Sequence, residues 1–237
     1  MFLLSSKIKI SNSGIMEGYT DFHCHLLPGV DDGVQKIDES IGILDLWEKA
    51  GVRKVWLTPH IMEDMPNKPD ILREKFDTFK TAYGKGIELC LSSENMIDSL
   101  MAERLKTADL LPLGDKGKYL LVETSYFNPP IDMDGIIMKV KSLGFIPILA
   151  HPERYRYMEM SDYEGWKSKG LLFQMNLPSL TGVYGNLAKQ KSEILLTKGM
   201  YDLFGTDTHS LRTAEFLLNA KIPKKFAALI KELRFNY

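Results

Sequence analysis

Between residue 19 and the C-terminus, seven short apolar runs alternate with longer stretches of helical periodicity, a pattern that leaves little besides βα units and a parallel sheet. The runs cover residues 19–23, 52–57, 87–91, 118–122, 145–150, 171–175 and 201–204. Helices are expected over 38–50, with Ile41, Leu44 and Trp47 or Glu48 on one stripe and Asp38 as the cap, and over 70–83, with Ile71, Phe76 and Phe79 inward. Shorter helical patterns cover 97–106, 131–143, 163–169 and 186–198, and the chain from Ala214 onward reads as helix. A length of 237 residues suits one α/β barrel of ~250 residues. Residues 1–18 read as a basic and polar N-terminal extension, an added strand or a loose arm, ahead of a single domain over 19–237.

Six of the strand ends carry a metal-binding type of side chain: His23, His60, Glu94, Glu123, His151 and Asp207. In a βα barrel such ends converge on one mouth. Alternation along a strand puts His23 and His25 on the same side, where they can grip one cation together. A lone His-x-His is more often a pair of solvated surface histidines, but here all five histidines, including His209, fall at a strand end or within two residues of one. With Asp32, Glu94, Glu123 and Asp207 they make nine donors, too many for one ion, so two or three metals are expected. Carboxylates can bridge cations, and bridged pairs ~3.5–4 Å apart suit displacement at phosphorus. Imidazole and carboxylate without thiolate favour Mn, Fe or Zn over Mg.

Arg154, three residues past His151 in His-Pro-Glu-Arg-Tyr, offers a planar fork for phosphate oxygens; its bland alternative is a surface pair with Glu153 or Glu159. Arg212, three residues past His209, is a second candidate, equally readable as a helix N-terminal salt bridge. Asp31 is either a support for the ligands or a turn residue before Gly33. A cysteine phosphatase would need arginine six residues after the nucleophile, but Val30 follows Cys24 at that distance and Met96 follows Cys90, so both cysteines are expected to pack. Thirty basic against thirty-one acidic residues argue against nucleic-acid binding. No apolar run of ~18 residues suggests membrane insertion, and two cysteines give no disulfide framework, so a cytoplasmic setting is expected.

These motifs resemble the polymerase and histidinol phosphatase (PHP) superfamily and, within it, the bacterial CpsB/YwqE-type tyrosine-protein phosphatases. The resemblance covers residues 19–216 and rests on Asp21 to Gly33, Thr58-Pro59-His60, Ala150 to Tyr155, Gln174-Met175-Asn176 and Asp207-Thr208-His209. It implies a distorted (β/α)7 TIM-like barrel holding three divalent transition metals, Mn first, with Fe or Zn as alternatives. The first would be bound by His23, His25, Glu94 and Asp207, the second by Glu94, Glu123 and His151, the third by Asp32, His60 and His209. Arg154 matches a phosphate-binding arginine. Ser210 stands where the family usually has Asn, and Ala214 where it has a further arginine, for which Arg212 is the available substitute. The implied activity is a metal-dependent phosphomonoesterase that hydrolyses phosphotyrosine with water activated by the cations. Its implied partner is the tyrosine-rich tail of a bacterial kinase of capsule or exopolysaccharide export. A small-molecule phosphatase such as histidinol phosphatase, a phosphodiesterase, or a metal-binding scaffold are the alternatives.

Overall fold

The computed structural model of the chain describes residues 6–233 and residue 235. Its strands are β1 (Lys7–Lys9), β2 (Thr20–Cys24), β3 (Lys54–Leu57), β4 (His60–Ile61), β5 (Glu88–Leu91), β6 (Glu94–Met96), β7 (Tyr119–Glu123), β8 (Ile146–Ala150), β9 (Leu172–Asn176), β10 (Leu203–Gly205) and β11 (Lys221–Pro223). The helices are α1 (Ile37–Ala50), α2 (Pro69–Tyr83), α3 (Ser99–Thr107), α4 (Met133–Ser142), α5 (Met160–Ser168), α6 (Asn186–Thr197), α7 (Leu211–Asn219) and α8 (Lys224–Glu232). Two parallel ladders, β2-β3-β5 and β4-β6-β7-β8-β9-β10, make a curled sheet in a single α/β domain. Among the described residues no helix is long and apolar enough to cross a membrane.

Two of the expected strands are broken. Pro59 cannot donate to a ladder, so the second strand stops at Leu57 and resumes as β4, which delivers His60. The third is interrupted at Ser92 and Ser93 and resumes as β6, which delivers Glu94. The breaks let each strand leave one ladder and join the other, and Glu94 N donating to Pro59 O at 3.1 Å stitches the seam. At the outer margins, Asp207 N donates to His23 O at 2.8 Å and His25 N to Thr208 O at 2.9 Å, so β2 and the end of β10 lie side by side. The buried Asp21 carboxylate reinforces this junction by accepting from Thr206 N and Oγ1.

Helix α1 buries Ser40, Ile43, Leu44 and Trp47 and ends at Gly51, whose φ of +103° suits glycine. Asp38 does not cap it, contrary to expectation: Lys36 occupies the cap position and Asp38 lies inside the first turn, where its charge meets the positive end of the helix dipole. On α2 the buried stripe is Leu72, Phe76, Phe79 and Tyr83, while Ile71 is 44 % exposed, because one residue is a rotation of about 100°. The single helix expected after Ala214 is two, α7 and α8, separated by β11, which pairs antiparallel with β1. Part of the N-terminal extension is therefore an added strand, and Ile10, Ile15 and Met16 lie in the main core.

Inside the curl, Phe22, Trp56, Leu121, Ile148, Ala150 and Leu203 form a small apolar plug. One extra residue on β2 between Asp21 and Cys24, relative to β3, is a bulge of the kind that re-aims side chains beside a site. It leaves Phe22 in the plug and sends His23 and His25 to the polar end above it.

Candidate metal centre

His23, His25, Glu94 and Asp207 converge above that plug, all buried. His23 Nε2 lies 3.1 Å from His25 Nε2, 3.1 Å from Glu94 Oε2 and 3.4 Å from Asp207 Oδ1. His25 Nε2 lies 3.4 Å and 3.3 Å from the same two oxygens. A tetrahedron with metal–ligand arms of about 2.0–2.1 Å has edges of about 3.3–3.4 Å, so the four atoms are spaced as ligands of one ion.

The tautomers support this. Gln174 donates its amide to Met175 O, so its Oε1 faces His23 and accepts from Nδ1 at 2.8 Å. His25 Nδ1 donates to Asp31 Oδ2 at 2.8 Å, and His209 Nδ1 to Asp207 O at 2.9 Å. Each bond spends the Nδ1 proton and turns a bare Nε2 outward, as metal-bound imidazoles require. Two such lone pairs facing each other beside two carboxylates need a cation or a proton between them. Burial pushes the His23 imidazole down, but Glu94 and Asp207 more than offset this and raise it to about 9. For Asp31, burial acts upward and the His25 imidazole prevails, bringing the carboxyl down to about 2.

Around Glu94 the cluster extends. His60 Nδ1 is 3.1 Å from Glu94 Oε2 and 3.0 Å from Glu123 Oε1, while its Nε2 faces Asp32 Oδ1 at 3.5 Å. His151 Nε2 is 2.9 Å from Glu94 Oε1 and 3.8 Å from Glu123 Oε2. His60 Nδ1, Glu94 Oε2 and Glu123 Oε1 are buried and close, yet none has a hydrogen-bond partner. Atoms so placed aim at a common point, not at each other, and such burial is tolerated only when a charge partner fills that point. Asp32 and His209 complete an outer group with His25 and His60, with His209 Nε2 at 3.6 Å from Asp32 Oδ1. All nine expected ligand candidates thus lie in one connected cluster; all but His151 fall in groups that could hold a metal ion, and His151 joins them through Glu94. His60 faces two ways, toward the glutamates as well as toward the outer group it was expected to serve.

The backbone is bent to achieve this. Besides Ala108 at the end of α3, the non-glycine residues with positive φ among those described are His151 at +33° and Asp207 at +51°. Strain of this sort concentrates at functional sites. Gly33 and Gly205 lie against the first two histidines: a Cβ at Gly33 would fall 2.5 Å from His25 Cβ, and one at Gly205 2.6 Å from His23 Cβ.

Arg154 reaches the same mouth but pairs with neither Glu153 nor Glu159; its Nη1 donates to Asp207 Oδ2 at 2.8 Å. Glu153 is buried and accepts from Asn176 N, Ser179 Oγ and Tyr201 Oη. Arg212 is exposed in the first turn of α7. Cys24 is buried on the other side of β2, its Sγ 3.5 Å from Trp56 O, and burial raises its thiol well above the usual range. Cys90 is likewise raised, to about 11, by burial. Gln174 and Asn176, whose Nδ2 donates to Asp207 Oδ2 at 2.8 Å, stood in the sequence as part of the Gln174-Met175-Asn176 motif and as polar residues in an otherwise apolar strand, but without an assigned role. Tyr126 and Tyr184, which flank Arg154, left no signal at all.

A family model described as capsular polysaccharide synthesis, CpsB/CapC, matches residues 19–224. The chain is 28% identical over 202 residues to the tyrosine-protein phosphatase YwqE of Bacillus subtilis (strain 168), covering 83% of this chain and 79% of that protein. To the tyrosine-protein phosphatase CpsB of Streptococcus pneumoniae it is 26% identical over 214 residues, covering 81% and 83%. Among solved structures it superposes, at a TM-score of 0.76 and 25% identity, on one from the crystal structures of YwqE and CpsB, described as unique metal-dependent tyrosine phosphatases; 92% of this chain and 88% of that chain are covered.

Proposed function

Because the chain belongs to the CpsB/CapC capsular polysaccharide synthesis family, we propose that it is a metal-dependent tyrosine-protein phosphatase. The observation that carries the reading is the set of bare imidazole and carboxylate atoms converging at 3.1–3.4 Å, in a chain whose relatives bear that activity. We read the curled sheet as a distorted seven-stranded (β/α)7 barrel, β3 with β4 and β5 with β6 each counting as one strand, and residues 1–18 as an N-terminal extension, of which Ile10, Ile15 and Met16 pack on it. Three divalent ions are assigned. The first takes His23, His25, Glu94 and Asp207; the second Glu94, Glu123 and His151, with His60 at hand; the third Asp32, His60 and His209. Mn suits this donor set, as do Fe and Zn.

When bound, the cations polarise the phosphoryl oxygens and lower the pKa of water for in-line attack. The residues of the chain do the rest. Glu94 sits between two ligand groups and keeps them close. Gln174 and Asp31 fix the imidazole tautomers. Arg154 faces the mouth with its remaining N–H groups and binds the phosphoryl oxygens as charge develops. A phenolate, with a conjugate-acid pKa of ~10, leaves with little help from an acid. The substrate is a phosphotyrosine protein, and the tyrosine-rich tail of a bacterial tyrosine kinase of polysaccharide export fits the family setting, with the phosphatase itself acting in the cytoplasm. The test is elemental analysis of the purified protein beside turnover of a phosphotyrosine peptide, with histidinol phosphate as the competing substrate. Chelation is expected to abolish turnover and Mn to restore it. Full activity in metal-free protein, or preference for histidinol phosphate, would overturn the reading.

A further inference from the structure

Three side chains hold Arg154. Its Nη1 donates to Asp207 Oδ2, while its Cζ lies 4.3 Å from the ring centroid of Tyr126 and 4.2 Å from that of Tyr184. The two rings come from different loops, one after β7 and one between β9 and α6, and the guanidinium lies over both. Tyr126 is itself fixed: its carbonyl accepts from Arg156 N at 2.8 Å, and its ring packs on His151 at 5.7 Å and on Tyr155 at 6.2 Å. Tyr184 is presented at a loop tip between Gly182 and Gly185, whose φ values of +87° and +91° favour glycine.

An arginine beside a carboxylate tends toward the two-pronged pair, in which both of its parallel N–H groups are consumed. Here the contact is single, since Asp207 Oδ2 also accepts from Asn176 and Oδ1 faces His23 and His25. Rings on a guanidinium restrain its plane and leave the in-plane N–H groups free. We propose that Tyr126 and Tyr184 are positioning residues that clamp Arg154 in this single contact, so that its remaining donors face a phosphoryl group at the mouth. The role in turnover rests on the phosphatase reading above; the anion clamp itself does not.

The test uses metal-loaded protein, with inorganic phosphate binding measured by calorimetry and kcat/KM on a phosphotyrosine peptide measured in parallel. Tyr126→Ala and Tyr184→Ala are each expected to weaken phosphate binding by about two- to thirtyfold, with unchanged metal content, whereas the Phe variants stay within about twofold of the parent because they keep the ring face. Phosphate binding unaffected by the Ala variants overturns the clamp, as does an equal loss in the Phe variants. If Tyr126→Ala loses metal together with phosphate, the ring serves His151 and the clamp is overturned for that residue. A parent protein that binds phosphate but does not turn over the peptide refutes the phosphatase reading alone, and the phosphate titrations of the variants still decide the clamp.

Discussion

Glu94 and Asp32 are both carboxylates at the mouth of the curled sheet, yet the side chain of one is 1 % exposed and that of the other 61 %. Around Glu94 three neighbours are pinned from outside: His23 by Gln174, His25 by Asp31, Asp207 by Asn176 and Arg154. Around Asp32 the contacts are long, 3.5 Å to His60 and 3.6 Å to His209, and His209 is itself partly exposed. A buried carboxylate is tolerated only with its charge compensated, whereas one on the rim is compensated by water. For Glu94, burial acts to raise the carboxyl, and the imidazoles of His23 and His60 hold it well below the usual range. The inner cluster is therefore a buried cradle that cannot do without positive charge, and the rim is an open surface held by longer contacts.

The most forceful way to break this division is Glu94→Gln. It removes the charge that lies between two ligand groups, and both metal occupancy and rate are expected to fall by more than about a hundredfold, beyond the 10–100-fold typical of residues that only orient a ligand. Near-normal metal content in this variant would show that the cradle does not depend on Glu94. Arg154→Ala probes the boundary between the two regions. It is expected to cost about 2–4 kcal/mol of transition-state stabilisation in kcat/KM. Its pairing with Asp207 sharpens the metal expectation: losing the guanidinium leaves Asp207 more negative, so occupancy should hold or rise. A variant that lost metal and rate together would merge anchor and cradle into one unit.

The cradle was legible in the sequence because strand periodicity and strand ends place side chains by rule: the His23 and His25 pair, His60, Glu94, Glu123, His151 and Asp207 needed only the βα pattern to be gathered at one end. Asp32 and His209 came from residue type and proximity to those ends. What was not legible depends on local backbone or on contacts across loops. Ile71 in place of Leu72 was a phase error, and Asp38 a cap mistaken by two positions. Pro59 was visible, but that its missing N–H would divide one strand between two ladders depends on the neighbouring strands. Tyr126 and Tyr184 are far apart in the chain and reach Arg154 together only because two loops share the mouth.

Gln174→Ala sharpens the comparison at smaller amplitude. It leaves every proposed ligand in place but removes the acceptor that holds the His23 Nδ1 proton, so Nε2 is no longer the enforced lone pair. Metal affinity is expected to fall about 10–100-fold, with activity recovering at raised metal concentration. Gln174→Glu, which keeps an acceptor, should recover much of it. Metal titrations followed by activity and by elemental analysis separate this from simple unfolding, which added metal would not correct in the same proportion.

The smallest effect is expected from Cys24→Ser, although Cys24 stands between two proposed metal ligands. The alternation that sends His23 and His25 to the mouth sends Cys24 to the outer core, and β2 shields it completely. Its thiol is raised by burial, the opposite of what a nucleophile needs, and its hydrogen-bonding contact is Trp56 O, not the cluster. A serine hydroxyl can donate to the same carbonyl but fills less space and brings a more polar atom into an apolar pocket. Stability should therefore fall by about 1–3 kcal/mol while most of the activity and all of the metal remain. Thermal unfolding, elemental analysis and peptide turnover on the same sample check each part. Loss of turnover in a folded, fully metallated Cys24→Ser protein would return the thiol to the mechanism and place the chemistry on the wrong side of the strand for everything argued above.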